Sequence, residues 1–388
     1  MAKKDEFKNV YRLGFVSFFT DFSSEMVLSI LPMYILSLPG GSIATLGFIE
    51  GIAESLSYIL RAISGVMSDK FRKRKIFILI GYGVSNLAKP FFALTSSVSQ
   101  ALSIRVLDRV GKGIRTAPRD ALISDSVSAS QQGAAFGLHR TLDQLGAIVG
   151  PLTATIVMVW LGWTAKGVFW LSFIPGALAL VVILFGVNEI VGSETREFKF
   201  LVGIREVLKG KFLWLLLVVS VFSLGAFNFS FILLNAKEMG VSEALIPIVY
   251  AVVNVTHTAI AIPAGRLSDR IGKEKVLLMG YVAFVATTAL LAVAPSTIPS
   301  AYLIAAVFGV YMGIVETVQR AMIPRYVDSS LRGTAYGVYY LVVGTCFFFA
   351  NSIVGTLWET QGLWTTSIYS GVLAAVAIVG LNFLNNRK

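Results

Sequence analysis

Cysteine and histidine are nearly absent from this chain: Cys346 stands alone, and His139 and His257 are the only imidazoles in 388 residues. One cysteine excludes an internal disulfide framework, and Cys346 reads as apolar filler. The hydrolytic signatures H-E-x-x-H and G-x-S-x-G are missing, and no cysteine lies close to a histidine in sequence. "GKGIRTAP", from Gly111, resembles a phosphate loop only superficially, because G-x-x-x-x-G-K-[ST] is not there. These absences argue against an enzyme and against nucleotide-driven work by this chain, and no cofactor is expected.

Charge is scarce too. Only 14% of residues are charged while 55% are hydrophobic, and the mean hydropathy is +0.75. Soluble domains carry about a quarter charged residues, so the composition is that of a membrane protein. A helix needs about 20 apolar residues to cross a bilayer. About twelve stretches qualify, at roughly 10–37, 45–68, 76–96, 99–124, 134–160, 164–187, 212–236, 243–268, 276–295, 299–324, 334–358 and 363–385. The first is too long for a signal-peptide core and carries Asp21 and Glu25, so it reads as a retained helix.

The charges that remain are unevenly placed. One set of loops holds Lys3, Lys4 and Lys8, Lys70 to Lys75, Arg196 to Lys211, Arg270 to Lys275, Arg325, Arg332, Arg387 and Lys388. The alternate loops hold little beyond Lys166 and Lys237. The positive-inside rule puts the basic loops and both termini in the cytoplasm, in a multi-pass plasma-membrane protein. The net charge of +11 then needs anionic lipid headgroups and no nucleic acid.

The halves of the chain repeat. "GVMSDKFRKRK" from Gly65 returns as "GRLSDRIGKEK" from Gly265, and "GAAFG" from Gly133 returns as "GTAYG" from Gly333. Both pairs share one spacing of 200 residues. The expected fold is an all-α membrane protein of twelve transmembrane helices in two pseudo-symmetric six-helix bundles, over 1–187 and 212–388. The polar stretch 188–211 joins them, either as a plain linker or as an amphipathic helix on the cytoplasmic surface.

These features resemble the major facilitator superfamily. The loop pattern G-x-x-x-D-R/K-x-x-x-R/K is matched from Gly65 through Asp69 to Arg74, the fourth-span pattern R-x-x-x-G by Arg109 and Gly113, and a fifth-span glycine–proline pattern by Gly146, Gly150 and Pro151. The resemblance implies two bundles rocking about a central cavity. It also implies a cytoplasmic latch at Asp69 that steadies the outward-facing state, with Asp269 in the matching place of the second half.

"DRVGKGIRTAPRD", Asp108 to Asp120, puts a basic ladder into a membrane helix. At 100° per residue Arg105, Asp108, Arg109, Lys112, Arg115 and Arg119 fall within roughly 120° of arc. Intramembrane charges face cavities or partners. Arg105, Asp108, Arg109 and Lys112 are therefore read as cavity residues. Arg115 and Arg119, nearer the cytoplasm, are expected to snorkel and to hold the gate with Gly65, Asp69, Arg74 and Asp269.

Their partners lie on neighbouring spans: Asp21 and Glu25 on the first, Glu50 and Glu54 on the second, His139 and Asp143 on the fifth, with Lys89 inside the third, and Glu50, Glu54, His139 and Asp143 are likewise read as cavity residues. Burial and a nearby cation pull a carboxyl's proton affinity in opposite directions, which is how protons couple to a conformational cycle. Asp21 or Glu25 is the expected proton carrier, with Arg109 as the switching cation. The second half is drier. Asn228, Asn254 and His257 either line the cavity or bond across helices, while Tyr339 and Tyr340 read as lipid-facing.

Three functions follow. The first is a secondary transporter working by alternating access as a proton-coupled antiporter, exporting a small organic compound. The second is export of a transition metal. "FGLHRTLDQLGAIVGP" resembles the fifth span of nickel-resistance exporters and iron-handling facilitators, which would make His139 and Asp143 metal ligands. The third is an organic-anion carrier drawing on the cationic stripe. Partners are the substrate, protons and lipids, and a monomer is expected.

Overall fold

A computed structural model describes residues 7–71, 73–128, 131–190, 200–328 and 331–386. Among the described residues every regular element is a helix. The first half runs α1 (Lys8–Leu28), α2 (Leu31–Ser37), α3 (Ile43–Phe71), α4 (Arg74–Ala88, prolonged by a 3-10 turn Lys89–Leu94), α5 (Val98–Asp125), α6 (Gln132–Trp160), α7 (Ala165–Leu171) and α8 (Phe173–Gly186). A short helix, α9 (Phe200–Val207), lies within the stretch expected to join the halves, whose residues 191–199 are outside the described set. Then follow α10 (Gly210–Gly225), α11 (Phe229–Glu238), α12 (Ile246–Ile271), α13 (Lys273–Val293), α14 (Ile298–Tyr326) and α15 (Arg332–Asn386).

Ten stretches among the described residues are long and apolar enough to cross a membrane. The charge-rich α5 is not one of them, and α15 counts once although Gly362, at φ 86°, breaks it in two. With both adjustments the chain has about twelve spans, the number its apolar runs predict.

Two spans that read as continuous are interrupted. The first breaks after Leu28, where the Ser29 N–H reaches the Glu25 carbonyl at 3.1 Å and Pro32 opens the next helix. Proline there leaves no N–H unsatisfied. The seventh breaks after Gly225 and resumes at Phe229. Lipid offers no partner to freed backbone groups, so protein must supply one. Asn228 caps α11 by accepting the Ser230 N–H at 2.9 Å, and its own N–H donates to Asn351 Oδ1 at 2.8 Å.

The chain divides into two compact units, Met1–Gly41 with Leu56–Glu197, and Ser42–Ser55 with Phe198–Lys388. In the first, Val10, Leu13, Val16, Ile78, Leu122 and Ile183 form an apolar core. There α1 and α6 touch along their backbones. A Cβ on Gly150 would lie 2.7 Å from the Phe22 carbonyl oxygen, and one on Gly146 would run into that of Phe18. The second unit is aromatic inside, with Phe222 stacked on Tyr281 at 3.8 Å and Phe227 on Phe308 at 5.8 Å. The first half of α3 packs with this unit: Gly47 abuts the Asn351 carbonyl, and the Ala44 N–H donates to Glu359 at 2.7 Å.

Candidate functional site

The interior of the first unit holds a polar core between α1, α4, α5 and α6. Its upper layer centres on Asp108. The Ser85 hydroxyl donates to Asp108 Oδ1 at 2.6 Å, Arg105 lies 3.2 Å from Oδ2, and Arg109 Nε lies 3.9 Å from it. Arg105 is completely buried and Arg109 nearly so. A carboxylate shared by two guanidinium groups offsets much of their desolvation cost, while a lone buried cation would not persist. Arg109 therefore has its own acid on its own helix. Lys89, buried on α4, donates to Ser24 Oγ at 2.7 Å and Asn86 Oδ1 at 2.8 Å.

The middle layer is acidic. Asp21 on α1 and Asp143 on α6 are hydrogen-bonded to each other through their carboxyl groups. Such a bond requires a proton on one of the two. The helix contact at Gly146 and Gly150 brings them this close. Glu25 and the half-buried Lys112 are the next charged groups to act on Asp21, and Arg140 binds Asp143 at 2.9 Å.

One turn toward the expected cytoplasmic side, Ser17 Oγ lies 2.8 Å from His139 Nε2 and 3.0 Å from the Tyr82 hydroxyl. Arg119 grips Asp120 at 2.8 Å and reaches Ser17 at 3.4 Å. Arg115 does not snorkel. It is buried, with its guanidinium 4.2 Å above the Tyr82 ring, because Gly81 lets α5 sit tight on α4 at that level.

Of the remaining gate residues, Gly65 faces Ala117 across α3 and α5. Arg74 pairs with Asp125, and its N–H donates to Glu189 at 2.9 Å. The Asp69 side chain lies outside the described residues. Asp269, near the end of α12, is exposed and pairs at 3.0 Å with Lys273, the first residue of α13. In the second unit the positions matching Arg74 and Asp125 are Glu274 and Arg325, which pair at 2.9 Å with the charges exchanged.

Glu50 and Glu54 fall within Ser42–Ser55, the segment that packs with the second unit. There Asn228 is a helix cap, Asn254 is buried, and His257 Nε2 lies 3.8 Å from Glu316. Tyr339 is not lipid-facing: it is buried and donates to Gln319 Oε1 at 2.9 Å, while Gln319 donates to Tyr281. Among the described residues no three His, Cys, Asp or Glu side chains are grouped to hold a metal ion. His139 and Asp143 are engaged with Ser17, Asp21 and Arg140 instead.

Sequence reasoning did not find Ser17, Tyr82, Ser85, Asn86 or Asn351. A faint signal exists for some. Ser17 precedes Asp21 by one turn, and Tyr82, Ser85 and Lys89 recur on one face of α4. Nothing local marks Asn351, whose role is to serve a helix break far away in sequence.

The family model of the Major Facilitator Superfamily matches residues 13–351 and 215–386. An MFS-type transporter of Methanocaldococcus jannaschii is 37% identical over 383 residues, 97% of this chain and 95% of the relative. A chloramphenicol resistance protein of Pseudomonas aeruginosa is 24% identical over 340 residues, 84% of this chain and 78% of the relative. Among solved structures, a nucleoside transporter, NupG, superimposes with a TM-score of 0.80 at 13% identity, covering 97% of this chain and 99% of that one. A bacterial homologue of the human lysosomal transporter Spinster gives 0.77 at 16% identity, covering 98% and 96%.

Proposed function

The chain belongs to the Major Facilitator Superfamily, and from that premise we propose that it is a proton-coupled exporter of a small organic compound. Its relatives and fold are those of membrane transporters, not enzymes. The observation that carries the coupling is the hydrogen-bonded carboxyl pair Asp21–Asp143. The pair holds one proton between two acids. A shift of Lys112 or Arg140 toward it favours release, and withdrawal favours uptake. Alternating access would present the pair to each side of the membrane in turn. Of the two expected carriers, Asp21 has this partner, and Lys112 replaces Arg109 as the cation that switches.

The breaks after Leu28 and Gly225 sit at matching places in the two repeats, and interrupted helices at such places border the substrate in secondary transporters. Export is favoured over import by the relatives whose names concern resistance, including a multidrug resistance protein, MdtG. The basic loops put both termini in the cytoplasm of a plasma-membrane protein. The chain then works as a monomer of two six-helix halves, 1–187 and 212–388, joined through 188–211.

An organic anion is the second reading, favoured by the buried cations Lys89, Arg105 and Arg109, which outnumber the acid among them, Asp108. Proteoliposomes with an imposed pH gradient test both. The panel is chloramphenicol, ethidium, benzoate and Ni²⁺. Gradient-driven accumulation of ethidium or chloramphenicol supports the first reading, and of benzoate the second. Accumulation of Ni²⁺ alone, or flux indifferent to the gradient, overturns both.

A further inference from the structure

Arg12 sits one turn into α1, inside the first span. Its side chain lies across Gly186 at the end of α8, where an added Cβ would come within 3.6 Å of Arg12 Cδ. Its Nη1 is buried and has no hydrogen-bond partner among the described residues. A buried cation without an anion is costly, the more so in a membrane. Glu189, the acid that follows α8, is already engaged: it accepts the Arg74 and Lys75 N–H groups at 2.9 and 2.8 Å. Lys75 adds a further positive charge at this place, donating to the Leu184 carbonyl at 3.1 Å.

The surface beside Arg12 is a groove. α6 packs on one side of α1, where Gly146 and Gly150 meet Phe18 and Phe22, and α8 packs on another, where Gly176 meets Ser23 and Gly186 meets Arg12. α6 and α8 scarcely touch each other. At 100° per residue Lys8, Tyr11, Phe15, Phe19 and Phe22 turn toward the opening between them. Lys8 is exposed, Tyr11 and Phe15 are 51% and 46% exposed, and Phe19 and Phe22 are half-buried. On α8 the exposed Leu178 and Phe185 extend this apolar surface. The floor is thus cationic at the expected cytoplasmic end and aromatic beyond it. From Tyr11 to Phe22 it runs about 16 Å, close to one leaflet of the hydrocarbon core.

We propose that this groove is a site for one anionic phospholipid, with Arg12 and Lys8 holding its phosphate and the aromatic floor of α1 carrying an acyl chain. A guanidinium fork matches two phosphate oxygens, and the lysine adds a point charge one turn away. Two cations exceed the single charge of a phosphodiester. Phosphatidylglycerol brings no cation of its own, whereas the choline of phosphatidylcholine would add a third. The general attraction of basic loops for an anionic surface is diffuse and treats lysines alike. Here the orphaned nitrogen and the groove below it single out one position.

The test uses full-length protein in dodecyl maltoside, titrated with dioleoyl phosphatidylglycerol or dioleoyl phosphatidylcholine, with bound lipids counted by native mass spectrometry. The wild type should bind one phosphatidylglycerol about tenfold more tightly than phosphatidylcholine. Arg12→Gln should lower that affinity about fivefold or more. Lys8→Gln serves if Arg12→Gln fails to fold, and it too should weaken binding. Lys211→Gln, which removes the same charge at the start of α10, should change nothing. Inorganic phosphate should not raise the melting temperature as phosphatidylglycerol does. Equal affinity for the two lipids, wild-type affinity in both Arg12→Gln and Lys8→Gln, an equal fall in Lys211→Gln, or protection by phosphate alone overturns the site. So does a fivefold gain in affinity on combining Asp5→Asn with Glu6→Gln, because Arg12 would then have had its anion within the chain.

Discussion

Asp108→Asn removes one charge from the first unit and leaves the shape nearly intact. The new amide can still accept from Ser85, 2.6 Å away in the parent. It cannot balance Arg105, which has no exposed surface, or Arg109. Breaking a buried ion pair by deleting one partner costs about 3–5 kcal/mol, because the surviving charge stays buried. The retained acceptor puts the expectation near the lower end, about 3 kcal/mol. Equilibrium unfolding in bicelles by steric trapping would measure it. Adding Arg105→Met to Asp108→Asn should recover about 1–3 kcal/mol, since the orphaned cation is then gone. A single-variant loss below about 1 kcal/mol, the value of an exposed pair, would refute the reasoning. It would mean that water or a second acid already solvates these guanidinium groups.

Gly146→Leu should prevent α1 from seating on α6, since even a Cβ there strikes the Phe18 carbonyl; the expected readout is loss of folded monomer on size exclusion, and normal yield would contradict it. Asn351→Ala leaves the Asn228 N–H without its 2.8 Å acceptor and should cost about 1–3 kcal/mol in the same unfolding assay. Asp125→Arg should weaken the first unit by setting two arginines together. Adding Arg74→Glu should restore most of the loss, because Glu274 and Arg325 already work in that order; absence of rescue would show that the two units do not use the pair alike. Asp21→Asn should abolish uphill, gradient-driven transport while substrate exchange persists, and full accumulation by this variant would remove Asp21 from the coupling role.

Spans, repeat and charged stripe were all legible without coordinates, because each is a property of neighbours along the chain. Apolar runs of bilayer length, glycine motifs recurring at a common spacing, and the 100° period of the Arg105 to Arg119 ladder need no knowledge of the partner. Charge inside a span also marked Asp21 and Asp143 as groups that face a cavity or a partner. It did not pair them.

Pairing is decided where backbones approach. Gly146 and Gly150 remove the side chains that would hold α1 off α6, so Asp21 meets Asp143, while Arg109 comes within 3.9 Å of Asp108 on its own helix. The same holds for Arg115. Its distance from the helix end suggested snorkelling, but Gly81 and the Tyr82 ring provide a buried seat. The break after Gly225 was invisible because apolar residues continue through it, and Asn351, more than a hundred residues on, satisfies the freed Asn228 N–H. Likewise Ser42–Ser55 belongs by sequence to the first half and by packing to the second unit. Hydrophobic period reports which side of a helix is dry or wet. Which helix lies against that side depends on contacts between residues far apart in the chain, and these exist only once the tertiary structure has formed.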